Sequence, residues 1–301
     1  MAIPNTYTTS GSDPNMNSVA VQEWETKLQE RLDKPVNWKD VCKVVYSDSF
    51  IVNSPYMSAE FDATTVTRGC SYVFDDFTVV NDQLIIQTTK VVPVFLDRAE
   101  LAQCKLVDQM EIADRQGAVI NEAIETIMLA GHAGWTDFDA TQIGGAAAAI
   151  TVDVNNIDNI IRAVKREIGE ANGQSLADRN GVFIVWRYAD LELLEEFAQA
   201  NGFNLADTAL KNGIKSGYHF FGVDHYVSNS HALGHLFAGV KKIMQIGILG
   251  STFGKIQVNQ DPATGVTPFG PGSGIGVVSR VDYGWNTPTG LSTIVFDVSV
   301  A

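Results

Sequence analysis

From Arg98 to Leu129 the chain contains no proline and a single glycine, Gly117. Leu106, Met110, Ala113, Gly117, Ile120, Ala123 or Ile124, and Ile127 recur at alternating spacings of three and four, so the segment predicts one amphipathic helix. Asp97 followed by Glu100 has the pattern of a capping box, Glu111 and Arg115 form an i,i+4 pair in the better orientation, and Gly131 supplies a stop. At 1.5 Å per residue the helix is roughly 48 Å long, beyond the usual helix of a globular domain. A helix of that length needs a support running beside it, a sheet of its own chain or a neighbouring subunit. Gly117 within the stripe predicts close approach by another backbone, because glycine there costs about 1 kcal/mol against alanine.

The flanking segments have a different grain. Residues 1–20 are polar, rich in Asn, Ser, Thr and Pro, and read as an extended arm. Val21 to Asp33 predicts a short helix, with Trp24, Leu28 and Leu32 four apart and Pro35 as its stop. Residues 41–53, 69–80 and 83–95 are rich in Val, Ile, Thr, Tyr and Phe, and predict long antiparallel strands that project as a ribbon. After the long helix comes a loop rich in Gly and Ala over 132–152, then an α/β pattern. Ile157, Ile160, Ile161, Val164 and Ile168 mark a helix face with Asp158 and Arg162 paired outside it. GVFIVWR (181–187) is a continuous apolar run of strand length, and Leu191, Leu194, Phe197 and Ala198 mark a second helix ending at Asn201-Gly202. Residues 218–229 and 235–240 read as strands, Lys241 to Leu249 as a short helix, and Lys255 to Asn259 as a strand. The chain closes with strands at 274–284 and 291–301 around a turn at Asn286-Thr287-Pro288.

The 301 residues include 21 Lys+Arg against 35 Asp+Glu, a net charge of −14, with 45 % hydrophobic residues. That composition is globular. The acidity argues against tight binding to nucleic acid phosphates or to an anionic membrane surface. Met1 to Asn17 has neither a basic start nor an apolar run, so no signal peptide is expected. The longest uncharged stretch, Pro262 to Ser279, holds three Pro and five Gly and cannot form a membrane helix. Cys42, Cys70 and Cys104 are far apart and odd in number, which fits free structural thiols in a reducing compartment.

Chemistry-bearing patterns are weak. The Gly-rich run 269–278 lacks the following helix that a dinucleotide fingerprint needs. GSTFGK (250–255) is one residue short of a P-loop, and Ile256 stands where magnesium needs a hydroxyl. His219, His225, His231 and His235 cluster, but on strands and loops rather than at metal-ligand spacing on a helix. Asp75-Asp76 and Glu195-Glu196 read as a turn and a solvated helix face, and no GxSxG elbow is present. No catalytic residue, cofactor site or metal site is assigned. The pattern points to a protein that works through its shape and its contacts.

The order of elements (polar arm, short helix, long ribbon, very long helix, α/β core, terminal strands) resembles the major capsid proteins of tailed double-stranded DNA bacteriophages, the Hong Kong 97-like fold. DRAELAQCKLVDQMEIADRQGAVINEAIETIML (97–129) is similar to that family's spine helix. NIDNIIRAVKREIG, GVFIVWRYADLELLEEF and GYHFFGVDHYVSN are similar to pieces of its axial (A) domain, and VSRVDYGWNTPTGLSTIVFDVSV to its closing strands. The resemblance implies an α+β fold. It divides into an N-terminal arm and short helix (1–40), an extended hairpin or E-loop with flanking strands of the peripheral (P) domain (41–97), the P-domain spine helix and following loop (98–152), the A-domain (153–268), and closing strands returning to the P-domain (269–301).

The implied function is that of a non-enzymatic structural subunit. It would self-assemble through pentameric and hexameric capsomers into an icosahedral virion capsid, in the host cytoplasm. The shell would enclose double-stranded DNA without sequence-specific binding, and no membrane partner is expected. Portal protein is an implied partner, with decoration proteins as further candidates. Only ~35–40 residues precede the strands, so a separate scaffolding protein is expected rather than a cleaved scaffolding domain. Between Lys43 and Lys90 the ribbon has no lysine, only Arg68, whose guanidinium cannot serve as the amine of an isopeptide cross-link. Phe50, Phe61, Arg68, Tyr72 and Phe74 are candidate ribbon contacts, and Trp24 a candidate arm anchor. The alternatives are an encapsulin-like compartment shell of the same fold, or an α/β enzyme using 217–276.

The charge of −14 makes like subunits repel, so assembly should weaken at low ionic strength, where screening is long-ranged. Light scattering across a salt series reads this directly. Faster assembly at low salt would contradict it.

Overall fold

The computed structural model describes residues 36–57, 65, 68–69, 79–97, 109–130, 134–200, 218–250, 256–260 and 274–301. The expected helix at Val21–Asp33, the first part of the long helix (98–108) and the ribbon tip lie outside them. In chain order the elements are α1 (Trp38–Val41), β1 (Lys43–Ser47), β2 (Ile51–Met57), β3 (Val79–Ile85), β4 (Thr88–Asp97), α2 (Gln109–Ala130), β5 (Thr136–Phe138), α3 (Ile157–Glu170), α4 (Gln174–Asn180), β6 (Val182–Trp186), α5 (Tyr188–Ala200), β7 (Tyr218–Phe220), β8 (Val223–Val227), β9 (His235–Val240), β10 (Gln245–Leu249), β11 (Ile256–Gln260), β12 (Gly274–Asn286) and β13 (Val295–Ser299). Short 3₁₀ turns cover Ala140–Ile143 and Thr289–Ile294.

The strands form two sheets and a separate ribbon. In the first sheet the long β12 is the hub. It pairs antiparallel with β10 (Gln245↔Asn286), with β11 (Ile256↔Ser279), and with β4 along its other edge (Asp97↔Gly274 to Thr88↔Tyr283). β1 adds to β10 in parallel. The second sheet runs β5-β13-β9-β6-β8-β7. Its centre, β6, is buried at every residue, which explains why its sequence is continuously apolar rather than alternating. Ile157, Ile160, Ile161, Val164 and Ile168 of α3 are buried as their spacing predicts, and Asp158 bonds Arg162 at 3.0 Å on the outer side. Trp135 stacks on Phe237 with centroids 4.0 Å apart, and Phe183 meets the same ring edge-on at 4.9 Å. The mixed helix and sheet content is α+β, as expected.

Several local expectations are corrected. Lys241–Leu249 is not a helix. Lys242 sits in a turn at φ 60°, and Gln245–Leu249 is strand β10, with Ile246 and Ile248 buried on either side of Gly247. A short apolar run carries no decisive period, and β1 and β12 claim both of its edges. Residues 218–229 are not one strand but the hairpin β7–β8. Its two turn residues, Phe221 and Gly222, both have positive φ (52° and 73°), the geometry whose twist suits a two-residue hairpin. The closing strands do not flank a single turn within one sheet: β12 belongs to the first and β13 to the second. Helix α4 was not foreseen.

The described part of the long helix, α2, extends roughly 33 Å at 1.5 Å per residue. Its buried face is Gln116, Ile120, Ile124, Glu125, Met128 and Leu129, rotated from the expected stripe. Gln116 belongs to it because the sheet satisfies its amide. Nε2 donates to the Val92 carbonyl at 2.9 Å, and Ser279 Oγ donates to its Oε1 at 2.5 Å. Among the described residues no backbone comes close to Gly117: a Cβ there meets nothing within 4 Å.

The ribbon β2–β3 pairs Ile51↔Ile85 through Met57↔Val79. Its root crosses the face of the first sheet where Gly247 and Gly284 stand opposite each other. A Cβ on Gly284 would lie 1.9 Å from the Ile85 carbonyl oxygen, and one on Gly247 would lie 2.9 Å from Leu84 Cδ2. The glycine pair leaves the sheet bare so that Leu84 and Ile86 can bury. Asp82 then accepts from the Thr289 backbone N–H (2.7 Å) and hydroxyl (3.1 Å).

Two glycine substitutions should therefore move stability in opposite directions. Gly284→Ala must displace the ribbon root and is expected to cost about 1–3 kcal/mol. Gly117→Ala is expected to stabilise by about 0.4–1 kcal/mol. Denaturant unfolding of the free chain measures both; equal effects would contradict the seating described.

Candidate assembly surface

The two faces of the ribbon differ. Val52, Ser54, Tyr56, Asp82 and Leu84 lie half-buried or buried against their own chain, and Tyr56 lies beside Gly290. On the opposite face Ile51, Asn53, Pro55, Val79, Asn81, Gln83 and Ile85 are exposed. Alternation places Ile51, Ile85 and Val79 outward at 49 %, 43 % and 54 % exposure. Phe50, 61 % exposed, stands just before the ribbon, and its carbonyl accepts from Ile86 N–H at 2.8 Å. Isolated exposed apolar residues are ordinary on a monomer. Here they gather on a two-stranded ribbon, which is marginal in water unless something packs on it.

Of the residues singled out from the sequence, Phe50 is exposed at the ribbon root and Arg68 lies in an exposed turn with Gly69. Trp24, Phe61, Tyr72 and Phe74 lie outside the described residues. Ile51, Val79 and Ile85 were missed because aromatics were favoured. The available signal was their even spacing along strands whose intervening residues face the chain itself.

The four clustered histidines separate onto different partners. His219 Nδ1 lies 2.7 Å from Asp224, and His235 Nδ1 lies 2.8 Å from Asp297. His225 is buried: Trp186 Nε1 donates to its Nδ1 at 2.8 Å, and its Nε2 donates to the Phe220 carbonyl at 3.1 Å. Burial lowers His225 and His231 to about 4 each, so both stay neutral. Lys241 bridges Asp224 at 2.5 Å and donates to Tyr226 at 2.7 Å. Burial pulls the Lys241 ammonium down, but bonds to Asp224 and Tyr226 outweigh it and hold it up. Burial pushes Asp224 up, but bonds from Lys241 and His219 outweigh it and hold it down. Amide formation between them would need a neutral amine and a protonated acid, the opposite of what this pair favours. Cys42 is buried against Met128, its Sγ 3.2 Å from Sδ; burial and then the Glu125 charge push the thiol well above its ordinary range. That thiol is structural. Among the described residues no helix is long and apolar enough to cross a membrane.

No protein-family model matches the sequence, and no curated protein matches it. Solved structures do match the fold. A chain titled "Mycobacterium phage Che8" is 13 % identical, with 92 % of this chain and 95 % of that chain covered at a TM-score of 0.65. One from the capsid of an empty GTA particle is 10 % identical over 93 % and 95 %, with a TM-score of 0.67. One from the mature capsid of bacteriophage PhiM1 is 12 % identical over 96 % and 95 %, with a TM-score of 0.62. The fold is that of phage and GTA capsid chains, and the resemblance read from the order of elements holds at that level.

Neutral His225 and His231 predict acid sensitivity. A base whose pKa falls on folding contributes stability that is complete above about pH 6.5 and is lost toward about pH 4. Imidazole NMR of the folded chain should find both rings uncharged at about pH 5. Titration of either near its free value would contradict their burial.

Proposed function

We propose that this chain is the shell-forming subunit of a tailed-phage capsid, self-assembling around double-stranded DNA. The observation that carries the reading is the ribbon: one face seated on its own chain and the other an exposed apolar surface, in a fold shared with capsid chains. In this reading the ribbon is the E-loop laid over a second copy. The first sheet with α2 is the P-domain, which takes β10 and β11 out of the range 153–268, and the second sheet with α3 and α5 is the A-domain that rings the capsomer centres, which takes β13 out of the closing range 269–301. In the same reading residues 1–40 are the arm and its short helix, and scaffolding and portal proteins are the partners. Apolar contact supplies roughly 25 cal/mol per Å² buried before ordering costs, summed over many identical interfaces that close by symmetry.

Electron microscopy of the purified full-length protein, with and without a candidate scaffolding protein, tests this. Shells or capsomers are expected. The double variant Ile51→Asp/Ile85→Asp should unfold within about 0.5 kcal/mol of the parent per exposed site, yet form no shells. A parent that remains monomeric in every salt and with every partner, or a variant that assembles normally, would overturn the reading.

A further inference from the structure

Among the described residues the most exposed large apolar side chain is not on the ribbon. Leu233, between β8 and β9, is 96 % exposed, and the next, Phe50, is 61 %. The backbone that carries Leu233 is tied on both sides. His235 N–H donates to the Ala232 carbonyl at 3.2 Å, and Gly234 has φ 78°, so Ala232–His235 is a tight turn of the kind that places glycine third. The Gly234 carbonyl accepts from Val300 N–H at 2.8 Å. Before the turn, Ser230 N–H donates to Ser228 Oγ at 3.2 Å; after it, His235 Nδ1 lies 2.8 Å from Asp297. The second position of such a turn accepts most residue types. The fold of the turn therefore does not call for leucine, and leucine there leaves its whole side chain in water.

The segments beside the turn carry no charge. Val300 forms a parallel bridge with Ile150, and Ala301 N–H donates to the Ile150 carbonyl at 2.9 Å. Four exposed alanines, Ala146–Ala149, lead into Ile150. They begin roughly 10 Å from Gly234, two strand spacings away. Residues 140–152, 228–240 and 298–301 contain no Asp, Glu, Lys or Arg. Charge begins at the borders, with Asp139, Asp153 and Arg187, the last paired with Asp190 at 2.8 Å. An apolar centre inside a charged rim is the anatomy of a protein–protein contact.

Charge also selects the occupant. At a net charge of −14 two copies of the chain repel. The repulsion is weakest where neither approaching surface bears a charge, and closing such a contact removes no ion from water. A basic partner would be drawn instead to the surfaces that carry the acids. We propose that the Leu233 turn, with Ala146–Ala149, is a second contact between copies of this chain, on the second sheet rather than the ribbon, and that Leu233 is its anchor. Because the turn is already ordered, little conformational freedom is lost when it docks. The contact rests on the reading that copies assemble, but not on what the ribbon covers.

Thiol labelling of the full-length protein, in a background with the native cysteines replaced, tests it. Leu233→Cys and, separately, Ile85→Cys are titrated with a thiol reagent as free chains and after assembly with no other protein present. The Leu233→Cys thiol should react at least about tenfold more slowly once assembled. Leu233→Asp should keep the thermal midpoint of the parent, yet raise the concentration at which light scattering detects assembly at least about tenfold. Leu233→Met should assemble like the parent. Protection of Ile85→Cys with equal labelling of Leu233→Cys in both states, or a folded Leu233→Asp that assembles like the parent, would overturn this contact and leave the shell reading standing. Protection of Leu233→Cys that appears only when a candidate scaffolding protein is added would give the turn to that protein and overturn the proposal. A parent that never associates would overturn both. The labelling decides even if Leu233→Asp does not fold.

Discussion

The structure depends on one close approach. At Gly247 and Gly284 two neighbouring strands present no side chains, and the chain at Leu84–Ile86 crosses directly over them. Any Cβ at Gly284 would occupy the position of the Ile85 carbonyl. This contact sets where the ribbon leaves the body and which way its faces turn. Even-numbered residues of β2 look toward Thr289–Gly290 and odd-numbered ones look outward. A register slip of one residue would exchange the faces. The Asp82–Thr289 bonds add a polar fix against that slip.

The long helix plays the second structural part. Gln116 fastens it to β4 and β12, and Glu125 to the N-terminal root and β8, with Ile120, Ile124 and Met128 between and beyond them. Polar residues at both stations fix its position more specifically than apolar packing alone, because each buried polar atom tolerates few alternative partners. The second sheet, by contrast, is held by ring packing around Phe237 and by the α3 face.

Much of this was legible in the sequence, for identifiable reasons. β6 and α3 have runs long enough, or periods clear enough, for one reading to prevail. The rotation of the buried face of α2 was not legible, since Gln116 and Glu125 count as polar until their partners, Ser279 and Asn37, are known to be adjacent. β10 reads as helix in the sequence because its environment, not its period, decides its state. The Phe221-Gly222 turn was hidden because phenylalanine rarely adopts positive φ, and only Gly222 signalled a reversal. Of the proposed assembly surface, Ile51, Val79 and Ile85 need the pairing register before they can be assigned one face.

Under the proposed function, a net charge of −14 suits a wall that encloses DNA without gripping it, with short-range apolar contact rather than charge carrying assembly. The central claim is that the outer ribbon face is covered by a second copy. A cysteine introduced at Ile85, in a background with the native cysteines replaced, can be titrated with a thiol reagent in the free chain and in assembled shells. The account predicts rapid labelling of the free chain and at least about tenfold slower labelling in shells. Equal labelling in both states would contradict it.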